Sequence, residues 1–318
     1  MTKPINVAVA GAGAFGVKHL ESLGQIDGVN LLSVVDSEVD RARDVAMRFG
    51  APHYSGDLIQ TLALPGLDAV ILCTPTPMHA RQALACLKAG KHVQVEIPLA
   101  DRLDEAREVV DEAKRQGLVA MCGHTRRYNP SHQYVRRRIN AGEFCLQHLV
   151  AQTYFFRRSN INALGQPRSW TDHLLWHHAA HSVDLFLYQD GGAITQSHIL
   201  QGPIHPELGI AMDISIQLKS STGALCTVAL SFNNAGPLGT TFRYIGDSAT
   251  YIASYDDLYT GANEKVDVSS VDVSMNGVEL QDRDFVAAIR EGREARSSVA
   301  EVLACYEVLD SLERQLPI

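Results

Sequence analysis

The apolar positions change rhythm roughly two fifths of the way along the chain. Up to about residue 123, short unbroken apolar runs alternate with amphipathic stretches. Ile5–Ala10, Leu31–Val35, Ala69–Cys73, His92–Val95 and Leu118–Cys122 read as strands, and Met78–Ala89 and Leu103–Gln116 as helices closed by Gly90 and Gly117. Unbroken apolar strands are covered on both faces, and their alternation with helices predicts a parallel, doubly wound sheet. Beyond that point the period becomes two. Met212–Lys219, Ala224–Phe232, Thr240–Ile245 and Thr250–Tyr255 alternate, separated by Ser-Ser-Thr-Gly (220–223), Asn-Asn-Ala-Gly-Pro (233–237) and Gly-Asp (246–247). Gln147–Arg157 reads as a further strand, Leu174–Tyr188 as a helix, and Gln281–Glu291 and Ser298–Gln315 as two closing helices. The fold class expected is α/β. A Rossmann doubly wound domain spans 1–123, and an α+β domain with a large, mostly antiparallel open sheet spans 124–318.

The first strand runs into Gly11-Ala-Gly13-Ala-Phe-Gly16, a helix-like segment follows, and the next strand ends in Asp36, twenty residues after Gly16. Strand, glycine turn, helix, strand and acid in this register form the dinucleotide-binding fingerprint. Gly11 makes the tight turn, Gly13 lets backbone N–H groups reach the pyrophosphate, and Gly16 lets the helix pack close. Ala14 and Phe15 open the helix whose N-terminus faces the phosphates. Ligands of doubly wound sheets lie at the carboxyl ends of strands, so Thr74, Thr76 and Glu96 are expected at the cofactor, with His79 near its ribose. Asp36 suits a free ribose 2′-hydroxyl and therefore NAD. Ser37, Arg41 and Arg43 follow closely and could hold a 2′-phosphate, so both NAD and NADP are expected to work.

Composition narrows the partners. The 318 residues suit two domains, and 46% hydrophobic with 20% charged residues describes an ordinary soluble globular chain. A net charge of −8 speaks against nucleic acid. Within this acidic chain, Arg126, Arg127, Arg136–Arg138, Arg157 and Arg158 cluster, which fits a small anion; Arg136–Arg138 read as a solvated helix face. The six cysteines form no close pair or CxxC, as expected of reduced thiols in the cytoplasm, and no apolar run or leader pattern points to a membrane.

The densest chemistry lies in WTDHLLWHHAAHSVD (170–184). On one α-helix His173, His177 and His181 would share a face, with Asp184 three residues on. Imidazoles stacked in this way suit proton transfer near neutral pH. No cysteine or second carboxylate stands at matching spacing, so no metal is expected.

Several segments carry a resemblance across essentially the whole chain. The Rossmann opening, Glu96-Ile97-Pro98, Arg126-Arg127-Tyr128-Asn129-Pro130 and the His181–Asp184 helix are similar to the glucose–fructose oxidoreductase / inositol dehydrogenase / rhizopine catabolism superfamily. Two positions depart from it. Ile97 stands where the superfamily has a lysine, and His177 where it has an aspartate four before the catalytic histidine.

With GHTRRYNPSH (123–132), YFFRR (154–158) and PRSWTDHLLWHHAAH (167–181), the chain resembles one branch of that superfamily. This branch serves the protocatechuate 4,5-cleavage route, where it oxidises the hemiacetal of a ring-cleavage product to 2-pyrone-4,6-dicarboxylate. The branch implies NADP as cofactor, a small dicarboxylate hemiacetal substrate and a homodimer built through an uncovered apolar face of the C-terminal sheet. It also implies hydride transfer with His181 as general base, His177 as relay or base, and Asp184 orienting His181. A hemiacetal hydroxyl is acidic enough for imidazole to serve without the lysine. Arg126, Arg127, Arg157, Arg158 and Arg168 are candidates for the two carboxylates, Arg127 and Arg168 foremost. Tyr128, Trp170, Trp176 and His178 are expected around the planar product. A sugar or cyclitol dehydrogenase of the same superfamily, and a non-catalytic cofactor-binding regulator, are the alternatives.

Overall fold

The computed structural model describes residues 3–161, 165, 167 and 171–317. The chain divides into two compact units, one of residues 1–124 and 278–303, the other of 125–277 and 304–318.

In the first unit, six parallel strands, β1 (Ile5–Ala10), β2 (Val29–Val35), β3 (His53–Ser55), β4 (Ala69–Leu72), β5 (His92–Val95) and β6 (Ala120–Cys122), lie in the order β3-β2-β1-β4-β5-β6. Helices α1 (Ala14–Leu23), α2 (Val39–Phe49), α3 (Leu58–Leu62), α4 (His79–Lys88) and α5 (Leu103–Gln116) alternate with them. All four residues of β4 are buried, the signature of a strand covered on both faces. Helix α5 shows why such segments start and stop where they do. Asp104 and Glu105 sit in its first turn and Lys114 and Arg115 in its last, complementing the helix dipole, and Gly117 ends it with a φ of 64°.

The second unit carries α6 (Pro130–Asn140) and, among the described residues, seven strands. These are β7 (Leu146–Tyr154), β8 (Ile194–Gln201), β9 (Asp213–Ser220), β10 (Leu225–Ser231), β11 (Gly239–Gly246), β12 (Thr250–Ser254) and β13 (Asp257–Thr260). Their order is β13-β12-β11-β7-β10-β9-β8, antiparallel at every step except β7–β10, which is parallel. The sheet is therefore mixed and mostly antiparallel. Leu149, Ala151, Ile216, Val228, Phe242 and Tyr244 form its buried face, and α6 and α7 (Ala180–Asp190) contact β12 and β7. The outward face joins Val150, Ala229 and Ile252 to Gln152, Thr241, Arg243, Ser215, Gln217 and Lys219. The uncovered apolar face expected from the sequence is thus a mixed one, because polar side chains occupy most outward positions of β7, β9 and β11.

Helices α8 (Gly277–Glu291) and α9 (Val299–Glu313) end the chain. The cysteines are free, and among the described residues no helix is long and apolar enough to cross a membrane.

The histidine segment is not one α-helix. Leu174–Ala179 forms a π-helical turn that continues into α7. A π turn closes i→i+5 hydrogen bonds, so a step of four no longer keeps side chains in line. His173 stands before the turn as its N-cap, its Nδ1 accepting the Leu175 N–H at 3.1 Å. His177 and His178 lie inside the turn with ring centroids 4.9 Å apart.

Candidate active site

In the first unit, the glycine turn has the steric logic of a phosphate cradle. Gly11 has a φ of +98°, and a Cβ there would meet the Cys73 carbonyl oxygen at 2.3 Å. A Cβ on Gly16 would lie 1.8 Å from the Gly11 carbonyl oxygen, so α1 packs against the turn only because position 16 has no side chain. At Gly13 nothing lies within 4 Å. Gly13 is also the N-cap of α1 and brings no side-chain cap, and the first turn has no acid, so the helix N-terminus is left for an anion. Ala14 opens that helix, and Phe15 is exposed with Lys18 Nζ 4.8 Å from its ring centroid. These residues fit a dinucleotide pyrophosphate.

Asp36 ends β2 nearly buried. It accepts hydrogen bonds from the Ala12 N–H (2.8 Å), the Glu38 N–H (2.9 Å), Arg41 Nε (3.1 Å) and Arg41 Nη2 (2.6 Å). Arg41 also reaches Glu38, and Arg43 pairs with Asp40 and Asp44, while Ser37 is exposed. Both arginines considered for a 2′-phosphate are therefore engaged by carboxylates, and Asp36 stays beside the glycine turn as a ribose acceptor requires.

At the other strand ends, Thr74 Oγ1 donates to Gln82 Oε1 at 2.5 Å, and Thr76, 7% exposed, donates to Asp101 at 3.4 Å. His79, expected at the ribose, is 1% exposed, with its two ring nitrogens 2.7 Å from the carbonyl oxygens of Pro98 and Thr74. It ties two strand-end loops together, and with both nitrogens spent on backbone it has none for a ribose. Glu96 follows β5 with its side chain 13% exposed and 3.1 Å from His19 Nε2.

In the second unit, Arg127 is the largest correction. Nε and Nη2 donate to the Asp184 oxygens at 2.9 and 2.7 Å, and the side chains are 3% and 1% exposed. A guanidinium so buried and so engaged offers little to a substrate carboxylate. Burial would lower its pKa, but the Asp184 charge raises it, so the cation persists. Asp184, expected to orient His181, gives both oxygens to this pair. Tyr128, expected at the planar product, is 1% exposed, and its backbone carbonyl accepts from Gln133. Trp176, 3% exposed, is held by Glu313 at 2.8 Å and stacks on Tyr306. Arg168 and Trp170 lie outside the described residues.

The polar group that does assemble includes Asp172, a residue sequence reasoning passed over although it stands five before His177. Ligand-type atoms of Asp172, His177 and His178 lie within 4.8 Å of one another, and Arg157 Nη2 donates to Asp172 at 2.5 Å. His178 packs between Phe155 and Phe232, and the Arg157 guanidinium lies 4.4 Å from the Phe232 ring centroid. Three such ligand types could hold a divalent cation, but Arg157 already neutralises the one carboxylate, and cation would repel cation. His181 is half-buried one turn on. Arg158 is exposed and bonds the Arg157 and Phe232 carbonyls and Asn233 Oδ1, so of this pair only Arg157 turns inward, with its Nη1 buried and without a hydrogen-bond partner among the described residues. Arg126 shares that trait at Nε and has no carboxylate ion pair among the described residues. It lies 5.8 and 5.1 Å from the Phe242 and Tyr255 ring centroids, and burial lowers its pKa. Buried guanidinium donors without partners are costly unless an anion meets them.

Comparison with known proteins agrees with these features. Residues 5–124 match the model of an oxidoreductase family with an NAD-binding Rossmann fold, and residues 130–272 match that of the C-terminal domain of bacterial oxidoreductases. A relative from Sphingobium sp. (strain NBRC 103272 / SYK-6), 4-carboxy-2-hydroxymuconate-6-semialdehyde dehydrogenase, is 64% identical over 98% of this chain and 99% of its own. The scyllo-inositol 2-dehydrogenase (NAD(+)) of Bacillus subtilis (strain 168) is 28% identical over 76% of this chain and 71% of its own. Levoglucosan dehydrogenase in complex with NADH shares the fold with a TM-score of 0.87 at 19% identity, covering 98% of this chain and 97% of that one. At 64% identity to a dehydrogenase over 98% of its length, and with both domains matched, this chain belongs to the glucose–fructose oxidoreductase / inositol dehydrogenase / rhizopine catabolism family and is an NAD-dependent dehydrogenase.

Proposed function

We propose that the chain oxidises the cyclic hemiacetal of 4-carboxy-2-hydroxymuconate-6-semialdehyde to 2-pyrone-4,6-dicarboxylate. The Sphingobium relative is named for that semialdehyde. The observation that carries the reading is the pair of half-buried arginines, Arg126 and Arg157, each with one buried guanidinium nitrogen that has no hydrogen-bond partner among the described residues. Two such donors suit a substrate with two carboxylates and are hard to justify for a neutral sugar.

NAD, held at the Gly11–Gly16 turn and Asp36, would supply the acceptor for the hydride that the hemiacetal carbon gives up. The hydroxyl proton leaves to an imidazole of the segment that carries His177 and His181, and the carbon–oxygen double bond of the pyrone forms. His181 is the base. His177, with the Asp172 carboxylate close by, passes the proton on. Ile97 is apolar and 4% exposed, so no strand-end lysine shares this work, and an acidic hemiacetal hydroxyl makes none necessary.

The test is cofactor reduction, followed by absorbance, with the ring-cleavage product of protocatechuate set against inositol and a panel of sugars. Reduction with polyols alone would overturn the reading and favour a cyclitol dehydrogenase. His181→Ala should lower kcat by about 100-fold or more, the scale of a lost general base, and leave NAD affinity unchanged. Arg157→Ala should raise KM for the dicarboxylate. The same reading includes a cytoplasmic homodimer joined through the outward face of the β8–β13 sheet; a monomer by light scattering would remove that part.

A further inference from the structure

Helix α1 carries His19, which is wholly buried. Its Nδ1 lies 2.8 and 2.9 Å from the two oxygens of Asp282, and its Nε2 lies 3.1 Å from Glu96 Oε1. Asp282 comes from α8, 263 positions along the chain from His19, is itself wholly buried, and accepts a second hydrogen bond from Gln94 Nε2 at 2.7 Å. An imidazole with a carboxylate at each nitrogen donates at both and is therefore the cation. Burial alone would lower the His19 pKa, but Asp282 and the adjoining Cys73 thiol outweigh it and hold it well above the usual value. Burial would likewise raise Glu96, but His19 and Gln281 outweigh it and keep it below the usual carboxylate range.

Two carboxylates around one cation leave one negative charge over. Within this triad only Glu96 reaches solvent, 13% exposed against none for the others. Its place is built. The Glu96 N–H donates to Leu72 at the end of β4, Gln281 Nε2 lies 3.4 Å from Oε1, and a Cβ on Gly123 would come within 2.5 Å of the same oxygen. The position after β6 is thus kept free of a side chain where the carboxylate sits. In a sheet of this order a dinucleotide crosses the carboxyl ends at the β1/β4 switch point. Asp36 marks the ribose on the β2 side, so the nicotinamide half belongs over the ends of β4, β5 and β6, where Glu96 stands.

We propose that the buried His19–Asp282 pair is a positioning device that holds the Glu96 carboxylate at the nicotinamide end of the cofactor site, so that the enzyme binds the cationic oxidised cofactor in preference to the neutral reduced one. A fixed negative charge in a poorly solvated place attracts the positive ring and gains nothing from the neutral one. The Cys73 thiol, which burial keeps protonated, and the His79 imidazole also face the triad and add no negative charge to it. The inference rests on the family's cofactor and is independent of the substrate proposed above.

The test is calorimetric titration of the purified full chain with NAD and with NADH, in the absence of substrate, from pH 6 to 8. Glu96→Gln should shift the ratio of the two dissociation constants toward NADH by about tenfold, the equivalent of about 1.4 kcal/mol. His19→Gln and Asp282→Asn should shift it in the same direction and make it depend on pH, as Glu96 begins to titrate; in the wild-type chain the ratio should be flat. A ratio unchanged within twofold in Glu96→Gln overturns the proposal. So does a shift in Glu96→Gln with wild-type ratios in Asp282→Asn and His19→Gln, because a purely structural role would lower thermal stability and leave the ratio alone. If His19→Gln does not fold, Asp282→Asn decides the matter.

Discussion

Replacing Arg127 by Met removes the guanidinium and leaves the Asp184 carboxylate, at 1% exposure, without the two hydrogen bonds it accepts from Arg127. The hydrogen bonds lost are charge-assisted, each about 1.5–3 kcal/mol, and breaking a buried ion pair from one side costs about 3–5 kcal/mol in all. The second unit has roughly 170 residues, for which 1 kcal/mol moves Tm by about 2–4 °C, so its transition should fall by about 6–20 °C at pH 7. The sign with pH is also determined. In the variant the folded-state pKa of Asp184 rises above its unfolded value, so the deficit is largest where unfolded Asp184 is ionised and shrinks as acidification lets the folded chain keep a proton. Urea unfolding by circular dichroism at pH 7 and pH 5 reads both effects. Arg127→Met combined with Asp184→Leu should regain most of the loss, since an apolar pair of similar volume needs no charge partner. A single variant within about 1 kcal/mol of wild type at pH 7, or a double variant no better than the single, would refute the assignment of Arg127 to the interior.

Three further outcomes follow from the geometry. Gly16→Ala must push the turn away from the Gly11 carbonyl and should lower NADH affinity by at least about tenfold together with stability, whereas Gly13→Ala should keep the wild-type Tm and lose cofactor affinity alone; fluorescence titration and melting separate the two. Arg41 has to leave Asp36 to hold a 2′-phosphate, so Arg41→Ala should cut kcat/KM with NADP by about 10–100-fold and leave NAD within about threefold, measured side by side. His132 is kept neutral, its pKa well below the usual value, by burial and then by Arg126; the unfolded chain takes up a proton below about pH 6.5 that the folded chain refuses, so stability falls on acidification there by up to about 1.4 kcal/mol per pH unit, and His132→Asn should flatten that slope in urea titrations.

Much of this molecule was legible from local physics. Unbroken apolar runs between glycine-closed helices foretold the parallel strands, because a strand covered on both faces has nowhere to place a polar residue. The glycine turn and Asp36 could be read as a cofactor site, because backbone sterics at Gly11 and Gly16 are properties of a few neighbouring residues. The alternation in β9 and β10 foretold a half-covered sheet. By contrast β8, with only Ile199 buried, has too little alternation to announce itself, and β3 is three residues long. The rest was settled by which distant groups were buried together. The parallel pairing of β7 with β10 has no local mark. The π turn displaced His173 from the face it would share with His177 and His181 on a regular helix. Arg127 and Asp184, 57 positions apart, and His19 and Asp282, 263 apart, found each other because a charge withdrawn from water must meet its opposite. Periodicity reports which face of an element is covered; which charge waits beneath that cover is decided only when the chain closes on itself.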